Sequence, residues 1–148
     1  WVDRGVRKFP IAAGGNYLYN HEKGYDDDGS AMASRIESSQ IDVGEGDKFV
    51  FINRVIPDVS FNGSTATTPS ANITLRARNY PGGDYLESET GAVTRSGTST
   101  TVPFEQFTNQ LDVRVRGRSF ALKIDSSDTG VRWRLGTPRV DARVDGKR

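Results

Sequence analysis

Apolar and polar residues alternate at period two along most of this chain, which is the spacing that places one residue class on each face of a β-strand. The clearest case is Val-Arg-Val-Arg-Gly-Arg at 113–118, where Arg114, Arg116 and Arg118 alternate with Val113 and Val115. A second case is Val-Arg-Trp-Arg-Leu at 131–135, carrying Arg132 and Arg134. Residues 72–79 set Ile73, Leu75 and Ala77 on one face against Thr74, Arg76 and Arg78 on the other. Residues 48–55 alternate Phe49, Phe51 and Asn53 with Val50, Ile52 and Arg54, so both faces are mostly apolar and the strand is expected to be central.

Shorter strands are expected at 15–19 and 33–36, around a polar turn at 23–29, and at 58–62 after Pro57. Strands at 111–116, 119–125, 131–135 and 139–144 complete the set, with Gly117, residues 125–130 and Gly136-Thr-Pro138 supplying turns or bulges. Residues 84–101 are polar and rich in Gly, Ser and Thr, and read as a long exposed loop or arm. Only 30–34 and 103–109 have tolerable helical composition, and both are too short to be stable alone. About eight short strands separated by turns predict an all-β fold, an antiparallel sandwich or barrel with little or no helix. Arg-Ile-Glu-Ser-Ser at 35–39 is echoed by Lys-Ile-Asp-Ser-Ser at 123–127, which suggests two related hairpins facing each other.

Composition adjusts this picture. The 148 residues are enough for one domain, or one domain and a strap, with a real core. The hydrophobic fraction is 34%, and with 16 glycines it favours wet loops over compact helical packing. Net charge is only +1, but residues 1–110 carry 10 basic against 14 acidic groups and residues 111–148 carry 10 against 5. Such asymmetry points to an acidic partner for the basic tail, or to pairing with the acidic part. There is no cysteine, hence no disulfide framework or thiolate metal site. No apolar run approaches the roughly 20 residues of a membrane-spanning helix. Trp1 reads as an internal residue of a longer protein, and the closing Asp-Gly-Lys-Arg at 145–148 as a true end.

Candidate chemistry is sparse. The single histidine, His21, stands beside Glu22 in a loop and reads as a structural hydrogen-bonding group. Asp26-Asp-Asp-Gly29 invites a cation, but setting Gly29 at position 6 of a helix–loop–helix calcium loop puts Gly24 at position 1 and Arg35 at position 12. That motif fails, which leaves a non-standard cation site against an acidic hairpin tip. Gly44-Glu-Gly46 lacks the third glycine and the helix of a dinucleotide fingerprint. Glu37, Asp42, Glu45, Asp47 and Asp58 offer carboxylates, but nothing distinguishes a hydrolytic pair, which would sit about 5 to 9 Å apart, from strand-edge charges. The expectation is a non-enzyme without a cofactor. Arginine forks can track a phosphate backbone, yet the residues alternating with them are valines, Trp133 and Leu135, which read as core and not as a stacking platform. Arg76, Arg78, Arg114, Arg116, Arg118, Arg132 and Arg134 are therefore read as candidates for a protein assembly interface.

The ordered series of motifs resembles the C-terminal region of tail-tube or tail-hub (nozzle) proteins of short-tailed bacteriophages. It runs from Tyr-Asn-His-Glu-Lys-Gly at 19–24 through Arg-Ile-Glu-Ser at 35–38, Ile-Asp-Val-Gly-Glu-Gly at 41–46 and Asn-Arg-Val-Ile-Pro-Asp at 53–58. It continues with Ile-Thr-Leu-Arg-Ala-Arg-Asn-Tyr-Pro at 73–81, the 113–118 stretch, Trp-Arg-Leu-Gly at 133–136 and the closing 145–148. The resemblance implies a virion protein of the phage tail, assembled in the bacterial cytoplasm. It implies a ring, commonly hexameric, below the portal and adaptor, with DNA passing its lumen as non-specific cargo and no membrane insertion by this segment. It also implies an upstream β-domain, so that residues 1–40 form a β-strap completing that domain and 41–148 form the sandwich. No catalytic residue is carried over. The alternative expectation is a tail-associated β-sandwich that recognises a host surface glycan.

Overall fold

The computed structural model of the chain describes residues 1–5, 7–80 and 100–146, so the expected loop at 84–101 lies outside the described residues up to 99. All regular structure among the described residues is β, and all of it pairs antiparallel. An N-terminal hairpin joins β1 (Ile11–Gly14) to β2 (Tyr17–Asn20), and a smaller one joins β3 (Asp26–Asp27) to β4 (Ser30–Ala31). The body follows with β5 (Ser34–Glu37), β6 (Ile41–Asp42), β7 (Val50–Ile56), β8 (Val59–Ser60) and β9 (Ser70–Arg78). It ends with β10 (Thr100–Glu105), β11 (Leu111–Gly117), β12 (Ser119–Ser126), β13 (Arg134–Leu135) and β14 (Arg139–Val144).

Two sheets make a sandwich-like body. One has the order β10-β9-β12-β5, with β6 continuing the line of β5 along β12. The other has the order β11-β7-β14, and a two-strand ladder pairs β13 with β8. Alternation does the folding work. On β9 the residues Ala71, Ile73, Leu75 and Ala77 are buried and their neighbours half-buried, while on β11 Leu111, Val113 and Val115 are buried. These side chains meet Val50, Ile52 and Val55 of β7, Phe120 and Ile124 of β12, and Phe61 and Phe104, whose rings lie 5.8 Å apart. The sheet takes in β5, which lies ahead of the sequence-predicted domain boundary at residue 41.

β7 is the middle strand of its sheet, as its two apolar faces suggest, but its alternation changes phase. Val50, Ile52 and Val55 all face the core because the pairing with β11 and with β14 slips at Asn53. A bulge of this kind turns later residues to the opposite face. The sequence echo has a direct explanation. Its two copies are hydrogen-bonded neighbours, with Ile36 opposite Ile124, Glu37 opposite Lys123 and Arg35 opposite Asp125. Opposite charges facing each other across a strand pair favour that register.

Several local expectations change. Gly15 lies in the turn between β1 and β2, and β2 pairs with the unpredicted β1 instead of lying beside the strand near 33–36. The stretch 100–105, read as weakly helical and loop-like, is the strand β10. β10 is an edge strand, a place in a sheet where a proline such as Pro103 is tolerated. With the two-residue strands counted, the described residues form fourteen strands, above the eight or so expected.

Candidate functional site

The arginines do not share one surface. Arg76 and Arg78 stand on the outward face of β9, whereas Arg114 and Arg116 stand on the outward face of β11 in the other sheet. Arg118 follows the corner where the chain leaves β11 for β12, and its backbone N–H donates to the Arg78 carbonyl at 2.8 Å. Arg132 precedes β13, its guanidinium 5.6 Å from the Tyr25 ring centre, and the exposed Arg134 lies on β13 opposite Ser60.

Most of them are used inside the domain. The Arg116 Nε–H donates to an Asp145 carboxylate oxygen at 2.6 Å, and its guanidinium lies 4.0 Å from the centre of the Phe49 ring. Arg118 packs on the same ring at 4.9 Å. A guanidinium over an aromatic face is attracted by the ring quadrupole, so Phe49 gathers two rungs of the ladder. Arg76 reaches across β12 to Glu37 at 2.9 Å, over Ala121, which is fully buried although it sits on the outward side of its strand. Arg54 of β7 pairs with Asp141 of β14 at 2.9 Å, and Arg143 lies 5.0 Å over Phe51. The sequence reading missed Phe49, Phe51, Asp141 and Asp145 in this role. The signal was the Arg-Val-Asp-Ala-Arg-Val-Asp alternation at 139–145, which places arginines and aspartates together on one strand face. Asp145 thus pairs with an arginine of the tail itself, whereas Asp141 pairs with Arg54 from the more acidic part of the chain.

Arg114 differs from its neighbours. It is exposed and, with Arg143, Phe51, Asn53, Thr100, Asp112 and Val113, it lines an open depression of about 910 Å³ on the outer face of the β11-β7-β14 sheet. Two cations beside an aromatic ring and an aspartate make a surface suited to a carboxylate or another polar anionic group.

The other candidates take structural positions. His21 donates its backbone N–H to the Pro10 carbonyl at 2.8 Å, and its ring meets Trp1 edge-on at 4.8 Å. The acidic run closes the β3–β4 hairpin, with positive φ at Asp28 and Gly29 (48° and 82°), as a two-residue Asp-Gly turn requires. Asp26 accepts the backbone N–H of Gly130, which ties that hairpin to the body. Among the described residues no group of three or more His, Cys, Asp or Glu is placed to hold a metal ion. Asp58 accepts the Thr137 N–H at 2.7 Å, while its carbonyl takes the Gly136 N–H at 2.7 Å. Trp133, expected to face the core, is half-buried against it and donates its indole N–H to Ser34 Oγ at 2.9 Å.

No helix among the described residues is long and apolar enough to cross a membrane. The chain matches no protein-family model. No curated protein matches it either.

Proposed function

We propose that this chain is a non-enzymatic structural module of a short-tailed bacteriophage tail, a part of the hub or nozzle ring below the portal and adaptor through which the genome leaves. The ordered motif series supports the reading. The structural observation that carries it is a set of outer strands on one side of the sandwich whose inward-facing apolar residues are left uncovered. β10 and β11 contact each other along one side of the sandwich, but on the other β5 and β6 contact chiefly β12, and β14 chiefly β7. Residues on the inward face of these outer strands stay exposed to solvent. A monomer gains nothing from such a face, whereas an assembly buries it.

The test is the mass of the assembled protein in solution, with negative-stain images of the particles. Closed rings are the expected outcome. A monomer, alone and with its neighbouring tail proteins, would sink the proposal. The second reading, a tail sandwich that recognises a host surface glycan, draws on the depression around Phe51 and Arg114. Saturable glycan binding lost on Phe51→Ala would favour it. Against it, Arg143 already lies over the Phe51 ring face that a sugar would need.

A further inference from the structure

We propose that the open side of the sandwich receives the β1–β2 hairpin of a second copy of this chain. The inference rests on the self-assembly part of the reading above, not on its virion context. One lip of the opening is β5 and β6. Ile36 and Ile41 lie opposite the core residues Ile124 and Phe120, and so share their inward face, yet they are 49% and 52% exposed. The other lip is β14. Val140 and Val144 lie opposite the core residues Val55 and Val50, yet they are 47% and 62% exposed. Both lips are outer strands of their sheets, with one row of backbone donors and acceptors turned outward. Such edges pair readily with an added strand.

The occupant is present in the same chain. β1 and β2 contact chiefly each other, and every residue of β2 is exposed, Leu18 at 76%. A two-stranded hairpin is marginal by itself in water, so its persistence calls for a partner surface. Its register gathers its aliphatic side chains on one face. Ala13 is opposite Leu18, and Ile11 falls on the same side two residues earlier, opposite Asn20, while Tyr17 and Tyr19 take the other side. Ile11, Ala13 and Leu18 supply the apolar surface that Ile36, Ile41, Val140 and Val144 lack.

Strand length and charge select the lip. β2 and β5 are each 4 residues long. The hairpin is preceded by the exposed Arg7 and Lys8, and the β5–β6 lip carries the exposed Asp42 and Glu45. The hairpin of one copy therefore extends the sheet beyond β5, with Leu18 pointing into the opening. This contact joins different surfaces of two copies, so repetition closes a ring if the rotation allows and gives an open chain if it does not.

The chain contains no cysteine, which makes disulfide trapping clean. Full-length Leu18→Cys and Ile36→Cys proteins are mixed and mildly oxidised, and native and cross-linked species are sized. The expected result is a cross-linked dimer that needs both variants and is lost when either is oxidised alone. Leu18→Asp, at a position exposed in the single copy, is expected to abolish oligomers with no change in the thermal unfolding of the monomer at low concentration. A dimer from Leu18→Cys alone would mean that hairpins pair with each other, and would overturn the proposal. So would an intramolecular disulfide in a chain carrying both Leu18→Cys and Ile36→Cys, which would place each hairpin in its own opening. Oligomers without the mixed cross-link would refute the docking while leaving self-assembly standing. Monomers throughout would remove both.

Discussion

Gly117 shows how one residue sets the ladder's path. It stands inside Arg116-Gly-Arg118, and a Cβ there would come within 3.0 Å of both the Ala77 Cβ and the Arg78 carbonyl oxygen. Neither neighbour can yield easily, since one is core and the other is backbone. The glycine lets β11 pass close to β9 before the chain turns into β12. Gly117→Val is accordingly expected to destabilise the domain by about 1–3 kcal/mol through overpacking, read from the urea midpoint. Trp133 is a second single-residue test. Replacing it with Phe keeps most of the ring but leaves Ser34 Oγ without the indole donor, at a cost of about 0.5–1.5 kcal/mol. At this scale the sequence was readable where burial follows parity, as for Val113, Val115, Ile73 and Leu75. It was not readable where a side chain depends on a neighbour far along the chain. Phe49 shows no sign of two stacked arginines until the fold brings residues 116 and 118 beside it.

Among elements, β5 and β12 give the sharpest contrast, because Ile36 and Ile124 are direct partners on one face. Ile124 is fully buried, so Ile124→Ala should cost about 2–5 kcal/mol. Ile36→Ala should cost under about 1 kcal/mol in the monomer, since half of that side chain is already in water. Chemical denaturation at low protein concentration measures both. Equal losses would mean that the opening beside β5 is filled within one copy. The strands with a clear alternation, β9 and β11, were legible within a residue or two, as were the bounds of β12 and the central place of β7. The phase change at Asn53 was not, because a bulge is set by the pairing of β7 with β11 and β14 and leaves no mark in one strand's own pattern. β10 was missed because residues up to 101 read as a polar loop and 103–109 as weakly helical, and only its pairing along β9 makes 100–105 a strand.

For the whole molecule, the distribution of the arginines decides how an assembly face should be tested. Reversing Arg114, Arg116 and Arg118 together would confound two effects. Arg116 holds Asp145 and packs with Arg118 on Phe49, so Arg116→Glu should destabilise the isolated domain by about 1–2 kcal/mol whatever its partners. Arg114 has no such contact with Phe49 or Asp145 and faces the open depression beside Arg143. Arg114→Glu should therefore leave the unfolding midpoint of the monomer unchanged. If the β11-β7-β14 face meets an acidic surface of a neighbouring subunit, the same change should weaken assembly, and added salt should weaken wild-type assembly in the same direction. Sedimentation of wild type and variant across a salt series separates the possibilities. A salt-sensitive wild type and a salt-insensitive, weakened variant would assign this face to a charged contact. Indifference of assembly to Arg114→Glu, with salt sensitivity kept, would leave the opening beside β5 and the charges of Arg7, Lys8, Asp42 and Glu45 to hold the copies together, with the ladder arginines serving only to brace the sheets from outside.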